Sequence, residues 1–541
     1  MRTTTRMVDP CAAGIVVVVV SRKCGPSRQP FMLLRSCHPK TCSIARQVLR
    51  ALHDQRWPGW EVVIGIETHA QIKSRHKLFS NAPTSGLKDV PNTRVSPFDA
   101  AFPGTLPTLN QECVDLALRT AVALNSEIQP RSSFDRKHYF YPDLPAGYQI
   151  TQHYAPIAQG GTVTIGDSAV RIKQIQLEQD TAKTTFDPRT RTSSIDLNRA
   201  GSALLEIVTE PDLRSPEDAA AYVRALQSIL RAIGASDGNM EAGSLRCDVN
   251  VSINRPGEPP GTRCEIKNLN SVKFMQSAIV CEIERHRELY SRGATVDQET
   301  RGFNQDAFET FPMRSKEDAM DYRYMPDPNL GTLSIPQKRI DHIRKTLPEL
   351  PWATRTRLIE GHGLSAQDAD ALLNLHSDHE GPEFGAVAYF DRVCAGGRNP
   401  RLVFNWMVHE LLGRLNASNL TFADNPITST QLAELVDLIQ TEKLTGPSAK
   451  ILLREMLANP SPLSPTERAH ALSLLSNPAD ALDIDALCAA AIAALPAESA
   501  AFKNGHRNVL NKILGRVMRE SKGRVDSQKA RERLELLLRD A

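Results

Sequence analysis

Three stretches of this chain place carboxylates, a histidine and cations at every second residue, the spacing that gathers side chains on one face of a β-strand. In residues 62–71, Val62, Ile64 and Ile66 fall on one side, and Glu67, His69 and Gln71 on the other. In residues 172–180, Ile175 and Leu177 oppose Gln174, Gln176, Glu178 and Asp180. In residues 245–252, Leu245, Cys247, Val249 and Val251 suit a core, while Arg246, Asp248, Asn250 and Ser252 line the other face. A loop rich in Pro and Gly leads to residues 263–267, where Cys264 and Ile266 point inward and Glu265 and Lys267 outward, so these last two stretches form a hairpin. Such a face has two readings. One is the solvated side of an antiparallel sheet. The other is a cradle for a hard cation and phosphate, which the Glu-x-His pair beside Asp and Glu favours, because a merely wet face tends toward Thr, Lys and Ser.

The elements that must carry these residues follow from the period. Between Trp60 and Asn329 the chain is short alternating runs punctuated by Pro and Gly, which is β-rich structure with excursions. Two helices stand out there: 111–124, and 216–233, where Ser215 caps the first turn and Ala219, Val223, Leu226 and Leu230 recur at helical spacing. Residues 134–145 pack charge and four Phe/Tyr rings into a Pro-ended run. That run is either an apolar patch under a loop or a surface whose rings hold a base while Arg136 and Lys137 meet phosphate. From about Pro348 the period is helical, with amphipathic segments at 402–415, 431–440 and 448–457. The expectation is an α+β protein: a β-rich cradle domain at 57–346, a helical linker region at 347–395 and an all-helical C-terminal region at 396–541 with a basic tail.

Charge refines the picture. The 541 residues carry a net +3, but residues 1–53 hold nine Lys/Arg against Asp9, a balance of +8, so the remainder carries −5. Contact with nucleic acid therefore rests on a local basic patch rather than overall charge. The tail supplies one, with Lys503, Arg507, Lys512, Arg516, Arg519, Lys522 and Arg524 against Glu520. A solvated helix face is the alternative reading of that stretch. The Arg-rich, acid-poor leader at 1–56 ends in an amphipathic piece at 43–52, which suits a mitochondrial targeting sequence. The competing secretory reading leans on the short apolar run at 12–20, which is marginal for a signal core and lacks a clean small-residue cleavage site. Outside the leader, Cys113, Cys247, Cys264, Cys281, Cys394 and Cys488 form no C-x-x-C pair, so reduced thiols are expected rather than a zinc knuckle. No later segment approaches membrane-spanning length in apolar residues, and no membrane role is expected.

Taken in order, these residues carry a resemblance. Residues 63–69, 134–145, 196–201, 243–252, 265–271 and 314–326 resemble the motifs of the glutamyl-tRNA(Gln) amidotransferase B subunit in its mitochondrial form. Order and spacing match over nearly the whole chain after the leader, and 503–505 and 518–523 resemble that family's helical tail. The resemblance implies a matrix protein working with an amidase-type glutaminase subunit and a small third subunit. It implies use of ATP and Mg²⁺ to phosphorylate the glutamate carboxylate of misacylated Glu-tRNA(Gln), before ammonia displaces phosphate. It further implies His69, Glu178 and Glu206 as Mg²⁺ ligands and Glu67, Asp248, Glu265 and Lys267 as catalytic residues. Lys503, Arg507, Lys512, Arg516, Arg519 and Lys522 become tRNA contacts.

Two departures from the family pattern matter. Where bacterial members have a His and a carboxylate, this chain has Gln176 and Gln179. The cysteine cluster that binds zinc in some members is missing from residues 78–86, so no zinc is expected. The two amides give some support to a second reading, a catalytically silent scaffold that holds tRNA within the same complex. Retention of Glu67, His69, Glu206, Asp248 and Glu265 argues against it. A third reading, a stand-alone metal hydrolase, leaves the basic tail unexplained.

Overall fold

A computed structural model of the chain describes residues 56–540, apart from 87, 167, 315–320, 376–384, 476–483, 504–506 and 522–526. The leader up to residue 55, and Lys522 and Arg524 of the tail, thus lie outside the described residues. Contacts divide the chain into two units, one of residues through Thr346 except Arg231–Gly234, the other of Arg231–Gly234 with Leu347 onward.

The first unit is built on a ten-stranded sheet. Its strands are β1 (Glu61–Gln71), β2 (Glu127–Ile128), β3 (Ala158–Gln159), β4 (Thr162–Ile165), β5 (Ser168–Gln179), β6 (Ala203–Thr209), β7 (Leu245–Asn254), β8 (Cys264–Leu269), β9 (Thr300–Asn304) and β10 (Glu309–Arg314). The order is β10-β9-β8-β7-β1-β6-β5-β3-β2, with β4 paired to β5. Every pairing is antiparallel except β8 with β9. The β-branched run of β1 suits a central strand. Its Ile64 and Ile66 join Ile175, Leu177, Leu205, Ile207, Val249 and Val251 in the core. The hairpin of β7 and β8 forms as expected, with Cys247, Val249, Cys264 and Ile266 buried. The opposite face, however, is far from wet. Glu178, Glu206 and Asp248 are 3%, 8% and 6% exposed, so charge on this face lies under covering chain.

Two helices flank the sheet where their spacing requires. Gln111–Ala123 is capped by Asn110, whose side chain accepts from the Glu112 N–H, and Pro216–Ala232 by Ser215, whose Oγ accepts from Asp218 N at 3.1 Å. The longest helix, Val272–Ser291, is not evident from the sequence. Its buried stripe of Met275, Ala278, Ile279 and Ile283 is interrupted by Glu282 and His286, both fully buried, so polar residues fall where a pattern reader expects apolar ones. Glu282 accepts from Arg285, His286 (2.9 Å) and Thr310 (3.0 Å), and Arg301 stands 3.3 Å away. This knot ties the helix to the edge of the sheet.

The second unit is helical. Ser429–Gln440 starts with a capping box between Thr428 and Gln431, and Gly446–Ala458 starts at Thr445. The expected amphipathic stretch at 402–415 is helical, but Asn405–Leu412 winds in wider π turns that bury Trp406, Met407 and Leu411. Leu358, Leu364 and Leu372, within the stretch expected as a linker, share a core with residues as distant as Leu453 and Leu474. Cys488, Leu510, Ile513, Val517, Ala530 and Leu534 form a second core. Among the described residues no single helix is long and apolar enough to cross a membrane; a pair bent by 99°, Ile484–Ala494 with Pro496–Phe502, passes only by length and composition. The six described cysteines are free.

Candidate active site

Strand register builds the site. Across the four central strands Gln176, Glu206, His69 and Arg246 stand opposite one another in one row. The next row is Gln174, Val208, Glu67 and Asp248. Neighbouring strands lie about 4.8 Å apart, so residues facing each other across them can share a ligand. Ligand atoms of Glu67, His69 and Glu206 all lie within 4.8 Å of one another. His69 Nε2 is 3.5 Å from Glu67 Oε1.

Glu178 stands one row further along β5. Its Oε1 accepts from Gln149 Nε2 at 2.8 Å, while Oε2 is buried without a hydrogen-bond partner, with Lys137 Nζ at 3.7 Å. Burial, then the charges of Glu178 and Glu67, push the Glu206 carboxyl well above the usual range, with Lys137 acting against them. Burial also opposes the charge of Lys137, but Glu178 and Glu206 outweigh it and hold the ammonium protonated beyond its ordinary range. Three carboxylates crowded in this way call for additional positive charge. Two carboxylates and an imidazole within mutual reach, next to an orphaned carboxylate oxygen, fit a hard divalent cation.

A second group adjoins the first. Lys267 Nζ bridges Asp248 at 3.0 Å and Glu265 at 3.1 Å. A bulge between β7 and β8 sets this up: Asn268, at φ 60°, turns its N–H onto Asp248 Oδ1 at 2.9 Å. Burial opposes ionisation of Asp248, yet Lys267, His69 and the Asn268 N–H together hold its carboxyl below the usual range. A third pair, Arg246 with Asp180 at 3.1 Å, closes the end of the first row, and Arg199 approaches the same carboxylate at 3.6 Å.

The structure thus brings Glu67 together with His69 and Glu206, groups Asp248, Glu265 and Lys267 as a bridged triad, and places Glu178 on the same face outside the closest set. Gln176 lies beside Glu206 and donates to its Oε2 at 2.6 Å. In the aromatic run, Phe134 is buried edge-on against Phe79, and Arg136 is committed to Asp327 at 2.7 Å while lying over the Tyr148 ring. Lys137 and Tyr139 face the acidic cluster instead, with Lys137 5.3 Å from the Tyr322 ring centroid. Sequence reasoning missed Gln149 and the placement of Tyr322 and Tyr324 by the cluster; Tyr324, chiefly through burial, is pushed up to about 12. No local spacing ties them to the site, because Gln149 and the segment of Tyr322 and Tyr324 lie far from the site strands' polar residues in sequence.

In the tail, Leu510–Glu520 buries Leu510, Ile513 and Val517 and exposes Lys512, Arg516 and Arg519. Lys512 pairs with Glu498 at 3.1 Å and Arg516 with Glu520 at 2.9 Å. Lys503 and Arg507 belong to Pro496–Lys503 and Arg507–Val509.

Residues 62–341 match the family described as the GatB/GatE catalytic domain, and residues 388–538 that described as the GatB domain. The sheet and its acidic face are therefore a catalytic domain of the GatB/GatE class. Among curated proteins, the mitochondrial glutamyl-tRNA(Gln) amidotransferase B subunit of Laccaria bicolor is 57% identical over 93% of this chain and 98% of its own length. Its counterpart in Mycosarcoma maydis is 44% identical over 87% of this chain and 85% of its own. The aspartyl/glutamyl-tRNA(Asn/Gln) amidotransferase B subunit of Rhodopseudomonas palustris is 49% identical over 73% and 80%. The chain belongs to the family of glutamyl-tRNA(Gln) amidotransferase B subunits.

Proposed function

We propose that this chain is the synthetic subunit of a mitochondrial, glutamine-dependent glutamyl-tRNA(Gln) amidotransferase, acting in the matrix. A side-chain carboxylate oxygen of glutamate on misacylated Glu-tRNA(Gln) attacks the γ-phosphorus of ATP and ADP leaves. Ammonia then attacks the acyl carbon, phosphate leaves, a proton is lost and Gln-tRNA(Gln) results. The observation that carries this reading is the gathering of Glu67, His69 and Glu206 beside the Lys267 bridge. These three side chains, supported by Glu178, would hold Mg²⁺. When bound there, Mg²⁺ offsets phosphate charge and aligns the phosphoryl oxygens.

The chain's own groups do the rest. Lys267, fixed between Asp248 and Glu265, presents a preorganised positive charge to the phosphoryl group in flight. Lys137, fixed by Glu178, adds charge on the other side of the cluster. The basic face of Leu510–Glu520 holds tRNA, an amidase-type subunit supplies ammonia, and a small third subunit joins the pair.

The test is ATP-dependent formation of Gln-tRNA(Gln) by the reconstituted complex, with ammonium chloride as nitrogen donor so that the glutaminase is bypassed. His69→Ala is expected to abolish it and to keep tRNA binding, since contacts to the nucleic acid lie elsewhere. Full turnover in that variant would show that the acidic face is structural.

A further inference from the structure

Next to the acidic face lies a cavity of about 190 Å³. Its walls include Phe98, Phe102, Asp143, Tyr148, Gln179 and Asp180. Pockets for drug-sized ligands start at about 300 Å³, so this one takes an aminoacyl group rather than a nucleotide. Its polar groups are unequally committed. Asp180 already accepts from Arg246 and the Thr181 N–H. Asp143 differs: its Oδ1 is buried with no hydrogen-bond partner, and Oδ2 has only the Thr181 hydroxyl at 3.4 Å. Gln179 has its Oε1 turned to the Ile150 N–H at 3.4 Å, which leaves the amide nitrogen without an acceptor among the described residues. The cavity wall therefore carries one carboxylate with spare acceptor capacity at Oδ2 and one amide nitrogen without an acceptor among the described residues.

Position gives these two groups a meaning. Gln179 and Asp180 directly follow Glu178, and on an extended strand Glu178 and Asp180 stand about 6.5 Å apart on the same face. A glutamate spans about 5 Å from its amino nitrogen to its side-chain carboxyl. A glutamyl ester seated in the cavity is thus long enough to direct its side chain toward Glu178, one row from Glu206. On the rim, Phe102 is 61% exposed and offers a ring on which an unpaired base can stack.

Resting on the function proposed above, we propose that this cavity holds the aminoacyl end of the tRNA substrate. Asp143 accepts from the α-amino group, which donates N–H whether protonated or not. The Gln179 amide donates to the ester carbonyl, and the terminal base lies on Phe102. Asp143 is thereby the residue that reads a free amino group on the substrate.

The experiment compares Glu-tRNA(Gln) with N-acetyl-Glu-tRNA(Gln) in the reconstituted complex, with ammonium chloride as donor. In the wild type, acetylation is expected to lower kcat/KM by about 10- to 100-fold, the range for losing a hydrogen bond to a charged group together with steric exclusion. Asp143→Ala is expected to lower kcat/KM for the free-amine substrate by a similar factor, mostly through KM, and to bring the ratio of the two substrates near one. Asp143→Asn keeps the shape and should show an intermediate ratio. A wild-type ratio within twofold of one overturns the inference with no variant needed. A ratio unchanged in both variants overturns it too, and if the Ala variant does not assemble, the Asn variant decides alone. Absence of ATP-dependent turnover of unmodified Glu-tRNA(Gln) by the wild type overturns the parent reading instead.

Discussion

Gln176 on β5 donates its side-chain amide to Glu206 on β6 at 2.6 Å, directly opposite in register. Gln174 in turn donates to Gln176 Oε1 at 2.7 Å, so the amide cannot rotate its oxygen toward Glu206 without losing that bond. Gln176 therefore orients the Glu206 carboxylate and leaves its other oxygen to the group formed with Glu67 and His69. Removing it with Gln176→Leu is expected to raise the Mg²⁺ concentration for half-maximal activity by about 10- to 100-fold, the usual effect of losing an outer partner of a metal ligand. KM for Glu-tRNA(Gln) should change less than twofold. Activity titrated against Mg²⁺ measures both.

Lys267 joins two carboxylates, one of them Asp248 at 6% exposure. Lys267→Met leaves both acids facing each other and takes away a fixed charge, so kcat for Gln-tRNA(Gln) formation should fall about 10²- to 10³-fold. Single-turnover rates at saturating ATP and tRNA test this. A loss confined to KM would place Lys267 in binding only.

The tail prediction concerns salt. Lys512 and Arg516 form exposed ion pairs, which contribute little to stability, so replacing Lys512, Arg516 and Arg519 with Gln should leave the helix packed. Cutting the chain near Ala500 would instead strip Leu510, Ile513 and Val517 from the core around Cys488. If the three cations contact phosphate, the slope of log affinity against log salt should flatten by about 2 to 3 in the triple variant. Filter binding at several salt concentrations gives the slope; an unchanged slope makes the face a solvated one.

Glu282 links stability to pH. Burial opposes its charge, but hydrogen bonds from His286 and Arg285 prevail and bring its pKa to about 2 from a reference of 4.5. Because the folded value is depressed, its contribution is fully present above pH 4.5 and is lost as pH falls toward 2. By linkage that amounts to about 3 kcal/mol. Glu282→Gln leaves Arg285 and Arg301 with Glu299 as their carboxylate partner and should destabilise the first unit by about 3 kcal/mol at pH 7, with a smaller difference at low pH. Urea unfolding of wild type and variant across that range checks the sign.

The leader prediction rests on the +8 balance of residues 1–53. The mature N-terminus should fall between about residue 20 and Trp57, ahead of β1. N-terminal sequencing of protein isolated from mitochondria tests it; an intact Met1 would defeat the idea.

Much of this molecule was legible from spacing alone. Period two in residues 62–71, 172–180 and 245–267 located four of the five site strands and sorted Glu67, His69, Glu178, Asp248, Glu265 and Lys267 onto one face, because strand geometry alternates side chains locally, whereas β6 with Glu206 gave no such signal. Helical period and capping residues placed Gln111–Ala123 and Pro216–Ala232 to within a residue or two. Register was another matter. That His69 stands opposite Glu206, and Glu206 opposite Gln176, depends on which strands become neighbours, a choice made by distant segments packing on a shared core. The helix Val272–Ser291 stayed hidden because Glu282 falls on its buried stripe, where Arg301 and Thr310 from the folded sheet edge join Arg285 and His286 of the helix itself as partners. The cover over the acidic face was equally invisible, since Lys137, Gln149 and Tyr324 come from separate loops and strands. Local period determines where a side chain points, whereas long-range pairing determines what it meets.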